Sequence, residues 1–151
     1  METLDLNVLA REVTTECVPR ALARDIDLGF EDGGDLPPIQ GDHFLLREML
    51  GNLIDNAIRY TQPGGHVTVH LARERDHLLL SVEDNGPGIP ESEREAVLER
   101  FHRVLGTGVE GVGLGLSIVR EIVMRHGGQI RLLAAHSGSG TLALVTLPIA
   151  T

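Results

Sequence analysis

The chain has 151 residues, a formal net charge of −9 and an apolar content of 42%. This length is enough to bury a sizeable core, and we expect a single domain over residues 1–151. The negative charge argues against a nucleic-acid surface, since binding to phosphate backbones needs clustered Lys and Arg. The lone Cys17 excludes an internal disulfide, and no apolar run approaches the roughly 18 residues of a membrane span.

The first half of the chain predicts a short strand, a helix, a strand in "IDLGFE" and, after the turn-rich "DGGDLPP", a second helix over 42–60. Asp42 is a suitable N-cap for this second helix. Its apolar residues recur at helical spacing and predict one buried face. They are Leu46, Leu50, Leu53, Ile54 and Ala57.

The second half predicts two hairpins separated by helices. "HVTVHLARE" and "HLLLSVED" alternate like strands and would pair across "RERD". "ESEREAVLERFHRV" (91–104) indicates a helix that runs into a loop, and "GLSIVREIVMRH" indicates a helix stopped by two glycines. The strands "QIRLLAAH" and "TLALVTLP" would be joined by "SGSG". The order predicts an α/β fold, a two-layer sandwich whose mixed sheet is covered on one face by helices.

Four polar residues of the second helix lie three or four positions apart and therefore share one face: Glu48, Asn52, Asn56 and Arg59. A solvated helix face is the simplest interpretation. Asparagine is nevertheless a poor residue for a helix interior, which suggests a use for the two amides. Their oxygens are hard neutral ligands of the kind that Mg²⁺ accepts.

Two glycine-rich stretches admit both a structural and a functional interpretation. Gly106, Gly108 and Gly111 match G-x-G-x-x-G literally, but a dinucleotide site needs a preceding strand, and a helix is predicted there. Backbone N–H groups at the start of the next helix could instead face an anion. "EDNGPGIP" is either a turn or a site where Asp84 accepts a hydrogen bond from an amine.

Four motifs, "NLIDNAIRY", "DNGPGI", "ERFHRV" and "GVGLGLSIV", follow one another over residues 48–119. In this order they resemble the N box, first glycine box, F box and second glycine box of the ATP-binding catalytic domain of sensor histidine kinases. That family belongs to a superfamily with gyrase, chaperone and mismatch-repair ATPases. The resemblance extends from Gly41 to Pro148 and implies the Bergerat-type ATP-binding fold.

The resemblance assigns the phosphate end of the site to the second helix. It makes Asn56 the Mg²⁺ ligand, places Asn52 one turn earlier facing the triphosphate, and brings Arg59 and Tyr60 into contact with phosphate and nucleotide. Asn52, Asn56 and Arg59 form the expected catalytic set. Hydrolytic relatives have a carboxylate where Asn52 stands, and an amide cannot act as a base.

The resemblance also assigns the base end and a lid. Asp84 would accept the adenine amine, and Gly86 and Gly88 would allow the ring to approach closely. The lid, from Ile89 to about Val112, would include Phe101 and Arg103, and we expect residues 101–112 to be its least ordered part without nucleotide. Gly111, Gly113 and Gly115 would form its hinge. The remaining expected nucleotide-binding positions are Ile89, Val112, Leu114, Leu116 and Thr141, of which Leu114 and Leu116 are interpreted as packing residues.

The implied function is transfer of the γ-phosphoryl group of Mg²⁺-ATP to a histidine on a separate dimerisation domain. None of the seven histidines is followed by a phosphoacceptor pattern, so the chain is expected to be excised from a longer sensor kinase. A response regulator would be an indirect partner. We expect a cytoplasmic domain of an inner-membrane-anchored protein, without membrane contact of its own. Two alternatives remain open: a serine kinase of the anti-sigma type, and a non-catalytic module that binds ATP.

Overall fold

The computed structural model describes residues 1–99, 112–136 and 138–150. Three α-helices lie in these ranges: α1 (Leu6–Ala23), α2 (His43–Tyr60) and α3 (Val112–Arg125). The strands are β1 (Glu2–Leu4), β2 (Asp27–Glu31), β3 (Ile39–Gly41), β4 (His66–Glu74), β5 (His77–Asp84), β6 (Gln129–Ala134) and β7 (Thr141–Pro148).

Five strands form one mixed sheet in the order β2-β4-β5-β7-β6. β2 runs parallel to β4, whereas the β4–β5, β5–β7 and β6–β7 pairs are antiparallel. Both predicted hairpins are therefore present, and the predicted mixed sheet is confirmed. β1 and β3 form a separate antiparallel pair.

The strand alternation divides the sheet into a buried and an open face. Val67, Val69 and Leu71 of β4, like the facing residues of β5, are almost fully buried and belong to the same core as the apolar side of α2. On the opposite face Thr68 is half-buried and His70 is exposed. The helices thus cover one face only, which confirms the predicted two-layer α/β sandwich.

Hydrogen bonds through His126 join the N-terminal end of α2 to the C-terminal end of α3. They hold in place α2, the helix that carries the candidate site. Asp42 caps α2 as predicted, because its Oδ1 accepts a hydrogen bond from the N–H of Leu45 at 3.0 Å. The Asp42 N–H donates to Nε2 of His126 at 3.0 Å, while Nδ1 of His126 lies 2.8 Å from the Ile122 carbonyl. These two partners assign the proton to Nδ1. His126 therefore has a structural role just after the C-terminal end of α3.

Two local features differ from the sequence-based prediction. The helix predicted from residue 91 is absent from its described part, which contains two 3₁₀ turns, Glu91–Glu93 and Ala96–Leu98. Only the adjacent Val97 and Leu98 are buried there, and adjacent residues cannot form the one-sided stripe that stabilises an α-helix. β3 was not predicted, since its three residues directly follow the turn-rich "DGGDLPP" and directly precede the N-cap of α2.

Candidate functional site

A pocket opens between α2, the start of α3 and the ends of β5 and β7. Its lining is mainly apolar, with three polar groups of interest: Asn56, Asp84 and Thr141. The apolar lining comes from α2, β5, β6, β7, the segment after β5 and α3: Leu53, Ala57, Val82, Ile89, Leu116, Leu132 and Ala143, with Tyr60 at the end of α2. A mainly apolar wall with few convergent polar groups is the lining expected of a small-molecule site, but the cavity measures about 30 Å³, less than such a site usually has.

Asp84 is the buried charge of this pocket, with a relative exposure of 7%. Its Oδ1 accepts the backbone N–H groups of Gly86 at 2.9 Å and Thr141 at 3.2 Å. Burial raises the pKa of the Asp84 carboxyl, the two backbone bonds oppose this shift, and the charge of Glu83 adds to it. Oδ2 has no hydrogen bond within the described residues, so it is the oxygen left for a ligand.

Close contacts with backbone carbonyl groups explain why glycine occupies several positions around Asp84. A Cβ on Gly86 would lie 2.7 Å from the Tyr60 carbonyl oxygen, and a Cβ on Gly140 would lie 2.0 Å from that of Asp84. Gly140 also has a φ of +115°, which side chains rarely adopt. Gly88 faces the Gly140 carbonyl in the same way. The structure thus gives Gly86 and Gly88 a packing reason, in addition to the ligand approach proposed from the sequence.

Asn52 and Asn56 hold the least satisfied polar groups. Their Nδ2 atoms are buried and have no hydrogen-bond partner among the described residues. Such orphaned groups are rare in folded proteins and often mark a missing ligand. Asn56 lines the pocket of Asp84, whereas Asn52, one helical turn earlier, lines a cleft between α1 and α2. The two amides therefore lead away from the base end along α2.

The first turn of α3 approaches Asn56 closely. A Cβ placed on Gly115 would lie 3.4 Å from Nδ2 and 3.7 Å from Oδ1 of Asn56. A side chain at position 115 would therefore make van der Waals contact with the Asn56 amide, which glycine avoids near a helix N-terminus, where backbone N–H groups favour an anion. Leu116 is 4% exposed and belongs to the core, in line with its interpretation as a packing residue.

The other predicted residues divide into those near the pocket and those outside the described ranges. Tyr60 is half-buried at the pocket, and burial raises the pKa of its hydroxyl. Arg59 is exposed, and its carbonyl accepts a hydrogen bond from Nη2 of Arg24 at 3.5 Å. The predicted Phe101, Arg103 and Gly111, and with them most of the expected lid, lie outside the described residues. Val112, Gly113 and Leu114 begin α3, and the structure describes only their backbone.

Sequence reasoning missed two supports of this site. Gly140 packs on the backbone of Asp84, and the Ser139 hydroxyl donates to the Gly86 carbonyl at 2.9 Å. Both belong to the "SGSG" turn, which was interpreted only as a hairpin connection. The β5–β7 pairing, in which Glu83 faces Leu142, brings this turn beside Asp84. If the pairing of β5 with β7 had been known, Ser139 and Gly140 could have been identified as supports of the site.

Comparison with known proteins agrees with this geometry. A family model described as "Histidine kinase-, DNA gyrase B-, and HSP90-like ATPase" matches residues 41–151. The chain belongs to this family. The family membership predicted from the four motifs is thereby confirmed, and membership of an ATPase family implies ATP binding.

The similar proteins are sensor kinases. The sensor protein kinase PmrB of Pseudomonas aeruginosa is 38% identical over 146 residues, which cover 96% of this chain and 30% of PmrB. The structure of the mycobacterial sensor histidine kinase MprB matches with a TM-score of 0.86 and 33% identity, covering 97% of each chain. The catalytic domain of histidine kinase ThkA matches with a TM-score of 0.84 and 29% identity, covering 98% of this chain and 97% of that one.

These likenesses agree with the predicted enzyme class, the catalytic domain of a protein-histidine kinase. The chain nevertheless spans only about a third of the length of PmrB. Among the described residues, no helix is long and apolar enough to cross a membrane.

Proposed function

We propose that the chain binds Mg²⁺-ATP and donates the γ-phosphoryl group to a histidine on a separate dimerisation domain, as one domain of a larger sensor kinase. The observation that carries the proposal is the Oδ2 atom of the buried Asp84, an acceptor without a hydrogen-bond partner among the described residues, in a mainly apolar pocket. A flat ring with an exocyclic amine suits this arrangement. Guanine would present a carbonyl to the carboxylate, so the geometry favours adenine.

The triphosphate would extend from this pocket toward the α2 amides and the start of α3. The buried Nδ2 atoms of Asn56 and Asn52 have no partner within the described ranges, and each amide can present either its N–H₂ or its oxygen on rotation. The backbone N–H groups at the start of α3 would face the phosphates. We propose that these groups orient the γ-phosphoryl group and that Arg59, at the end of α2, contributes positive charge.

The residues present fit a magnesium ion held mainly by the nucleotide. Within the described ranges, no cluster of three or more His, Cys, Asp or Glu side chains could hold a metal ion. Mg²⁺ commonly keeps several waters and bridges protein to phosphate through few protein ligands, and the Asn56 amide oxygen would suffice as one of them. When bound, the ion would neutralise charge on the phosphates during transfer.

The amide of Asn52 influences whether the phosphoryl group is transferred to water or to a protein. An amide neither removes a proton from water nor carries charge, so this position does not activate water for hydrolysis. A poor ATPase would preserve the phosphoryl group for the imidazole of a partner domain. Two solved neighbours support the ligand and the wider assembly: full-length ShkA was solved in complex with AMPPNP, and ThkA in complex with the response regulator protein TrrA. A response regulator would then act downstream of this domain.

The test is a transfer assay with γ-labelled ATP, Mg²⁺ and a separately produced histidine-bearing dimerisation domain. We expect acid-labile, alkali-stable label on that domain and little free phosphate. The domain with its phosphoacceptor histidine replaced by glutamine is the control. Acid-stable label on serine would favour a serine kinase of the anti-sigma type, and tight ATP binding without any transfer would favour a binding module.

A further inference from the structure

Glu83 directly precedes Asp84 on β5, but strand alternation directs its side chain to the open face of the sheet. There its Oε2 accepts the backbone N–H of His136 at 2.5 Å and lies 3.1 Å from Nδ1 of the same residue. Since a carboxylate only accepts, the imidazole donates from Nδ1. Glu83 therefore makes two hydrogen bonds to one residue of the β6–β7 connection.

The same connection, together with the first residue of β7, contacts the end of β5 and the segment after it at three more points. The Thr141 N–H donates to Oδ1 of Asp84 at 3.2 Å, the Ser139 hydroxyl donates to the Gly86 carbonyl at 2.9 Å, and Gly140 packs on the Asp84 carbonyl. All three contacts are made to Asp84 itself or to Gly86, two residues later. The connection is thus attached to β5 from the open face through Glu83 and beside the pocket through Asp84 and Gly86.

We propose that Glu83 is a positioning residue for adenine recognition. By holding His136, it keeps the β6–β7 connection in place, so that the Thr141 N–H occupies Oδ1 of Asp84 and leaves Oδ2 for the ligand amine. This inference rests on the proposed function, in which Asp84 binds the base. The exposed part of the contact contributes little by itself, because the His136 side chain is 82% exposed and surface ion pairs are weak. The bond from the backbone N–H to a charged acceptor is the part that we expect to position the connection.

A second glutamate-histidine pair on the same face provides a matched control. Oε1 of Glu31 lies 3.8 Å from Nδ1 of His70, and this pair joins β2 to β4, away from the β6–β7 connection. Glu31→Ala removes a glutamate–histidine ion pair that has no backbone hydrogen bond in the described part of the chain, and it does not touch the support of Asp84. Glu83→Ala removes both bonds to His136, whereas Glu83→Gln keeps an oxygen that can accept the backbone N–H.

The experiment measures the affinity of each variant for a non-hydrolysable ATP analogue and for the matching purine nucleotide without the 6-amine. We expect Glu83→Ala to weaken binding of the ATP analogue by about three- to tenfold, the value of one hydrogen bond. Binding of the amine-free nucleotide should stay at the wild-type value, because the loss concerns the amine acceptor. Glu83→Gln should restore most of the affinity, and Glu31→Ala should match wild type.

Three results would overturn the inference: unchanged affinity in Glu83→Ala, an equal loss for both nucleotides, or an equal loss in Glu31→Ala. Thermal unfolding checks the fold of each variant, and Glu83→Met replaces Glu83→Ala should the latter not fold. Asp84→Ala distinguishes a wrong role for Glu83 from a wrong base site. If Asp84→Ala weakens binding and Glu83→Ala does not, only the role of Glu83 is wrong; if neither weakens binding, the proposed base site is wrong as well.

Discussion

The base end and the phosphate end of the candidate site differ in whether their buried polar groups have hydrogen-bond partners within the protein. At the base end, backbone N–H groups of Gly86 and Thr141 hold one oxygen of Asp84, and glycine contacts fix the surrounding backbone. At the phosphate end, the Nδ2 atoms of Asn52 and Asn56 are buried and have no hydrogen-bond partner in the part of the chain that the structure describes. Oδ1 of Asp84 is therefore held by the protein's own backbone, whereas we expect the two Nδ2 atoms at the phosphate end to gain partners when a ligand binds.

This contrast predicts opposite consequences for stability. Adding a side chain at a base-end glycine should disturb packing that the fold needs, because close backbone contacts there leave no room for a Cβ. Removing an unpaired amide from the phosphate end should relieve the cost of burying it, estimated at about 1–3 kcal/mol for a buried polar group. Function would be lost at both ends, but the free energy of unfolding should fall at one and rise at the other.

The largest effect is expected for Gly140→Ala at the base end. Its new Cβ would meet the Asp84 carbonyl oxygen at 2.0 Å and occupy a backbone with φ +115°. We expect the free energy of unfolding to fall by roughly 2–5 kcal/mol, from overpacking together with left-handed strain. Denaturant unfolding measures the loss, and ATP affinity should fall with it.

Gly138→Ala is the control for strain alone. Gly138 has a φ of +92°, but a Cβ there would meet no atom within 4 Å. Its cost should be limited to about 1–2 kcal/mol of backbone strain. Equal destabilisation by the two variants would show that the contact with Asp84 contributes nothing.

Asn56→Leu tests the phosphate end with a side chain of the same branching. We expect phosphoryl transfer to fall by about 100-fold or more, the usual cost of losing one group that stabilises transition-state charge. Without nucleotide, the melting temperature should rise, because an unpaired buried amide is replaced by an apolar group. Transfer assays and thermal unfolding measure the two effects.

Asn52→Leu makes the same chemical change one turn earlier on α2. If Asn56 is the magnesium ligand, only Asn56→Leu should abolish the dependence of nucleotide affinity on Mg²⁺. A lower melting temperature in both variants would contradict the contrast between the two ends.

The predictability of these regions from sequence differs for a physical reason. The face of α2 follows from the helical repeat of Leu46, Leu50, Leu53 and Ala57, and the hairpin of β4 and β5 follows from alternation, so both were predicted correctly. The β1–β3 pair, the 3₁₀ turns after Pro90 and the contact of Glu83 with His136 were not predicted. Short segments carry no periodic signal, and Glu83 and His136 are 53 residues apart in sequence. Roles at the site came from motif resemblance rather than from periodicity.

Asp84 variants test whether the base end recognises an amine. Asp84→Asn retains an oxygen acceptor but loses the charge, and a charge-assisted bond is roughly twice as strong as a neutral one. Asp84→Ala leaves the ligand amine unpaired, at a cost of about 1–3 kcal/mol. We expect affinity for a non-hydrolysable ATP analogue to fall from wild type to Asn to Ala, and GTP to bind wild type poorly. Calorimetric titration measures all of these, and unchanged affinity in a folded Asp84→Ala would exclude Asp84 from the site.

The raised pKa of Asp84 adds a pH control to the same variants. Burial places the folded-state pKa above its usual value, so ionised Asp84 reduces the stability of the fold above that pKa. The cost disappears as the pH falls through the folded pKa and then the unfolded pKa. The free energy of unfolding of Asp84→Asn should therefore exceed that of wild type most at neutral pH, and this difference should disappear in acid. Wild-type ATP affinity should decline as Asp84 is protonated, and that of Asp84→Asn should not.

The smallest effect is expected for Gly51→Ala, next to Asn52 on α2. Gly51 is in the interior of the helix, and a Cβ there would meet no atom within 4 Å. Alanine costs less backbone entropy than glycine in a helix, so the free energy of unfolding should rise by about 0.5–1 kcal/mol. Nucleotide affinity should not change, because a Cβ on Gly51 would contact none of the side chains that line the pocket of Asp84. Denaturant unfolding and calorimetric titration check both statements. A gain in stability with unchanged binding would show that stiffening α2 beside the unpaired amides leaves their ligand geometry intact; weaker binding would show that the phosphate end depends on the freedom that glycine gives the helix.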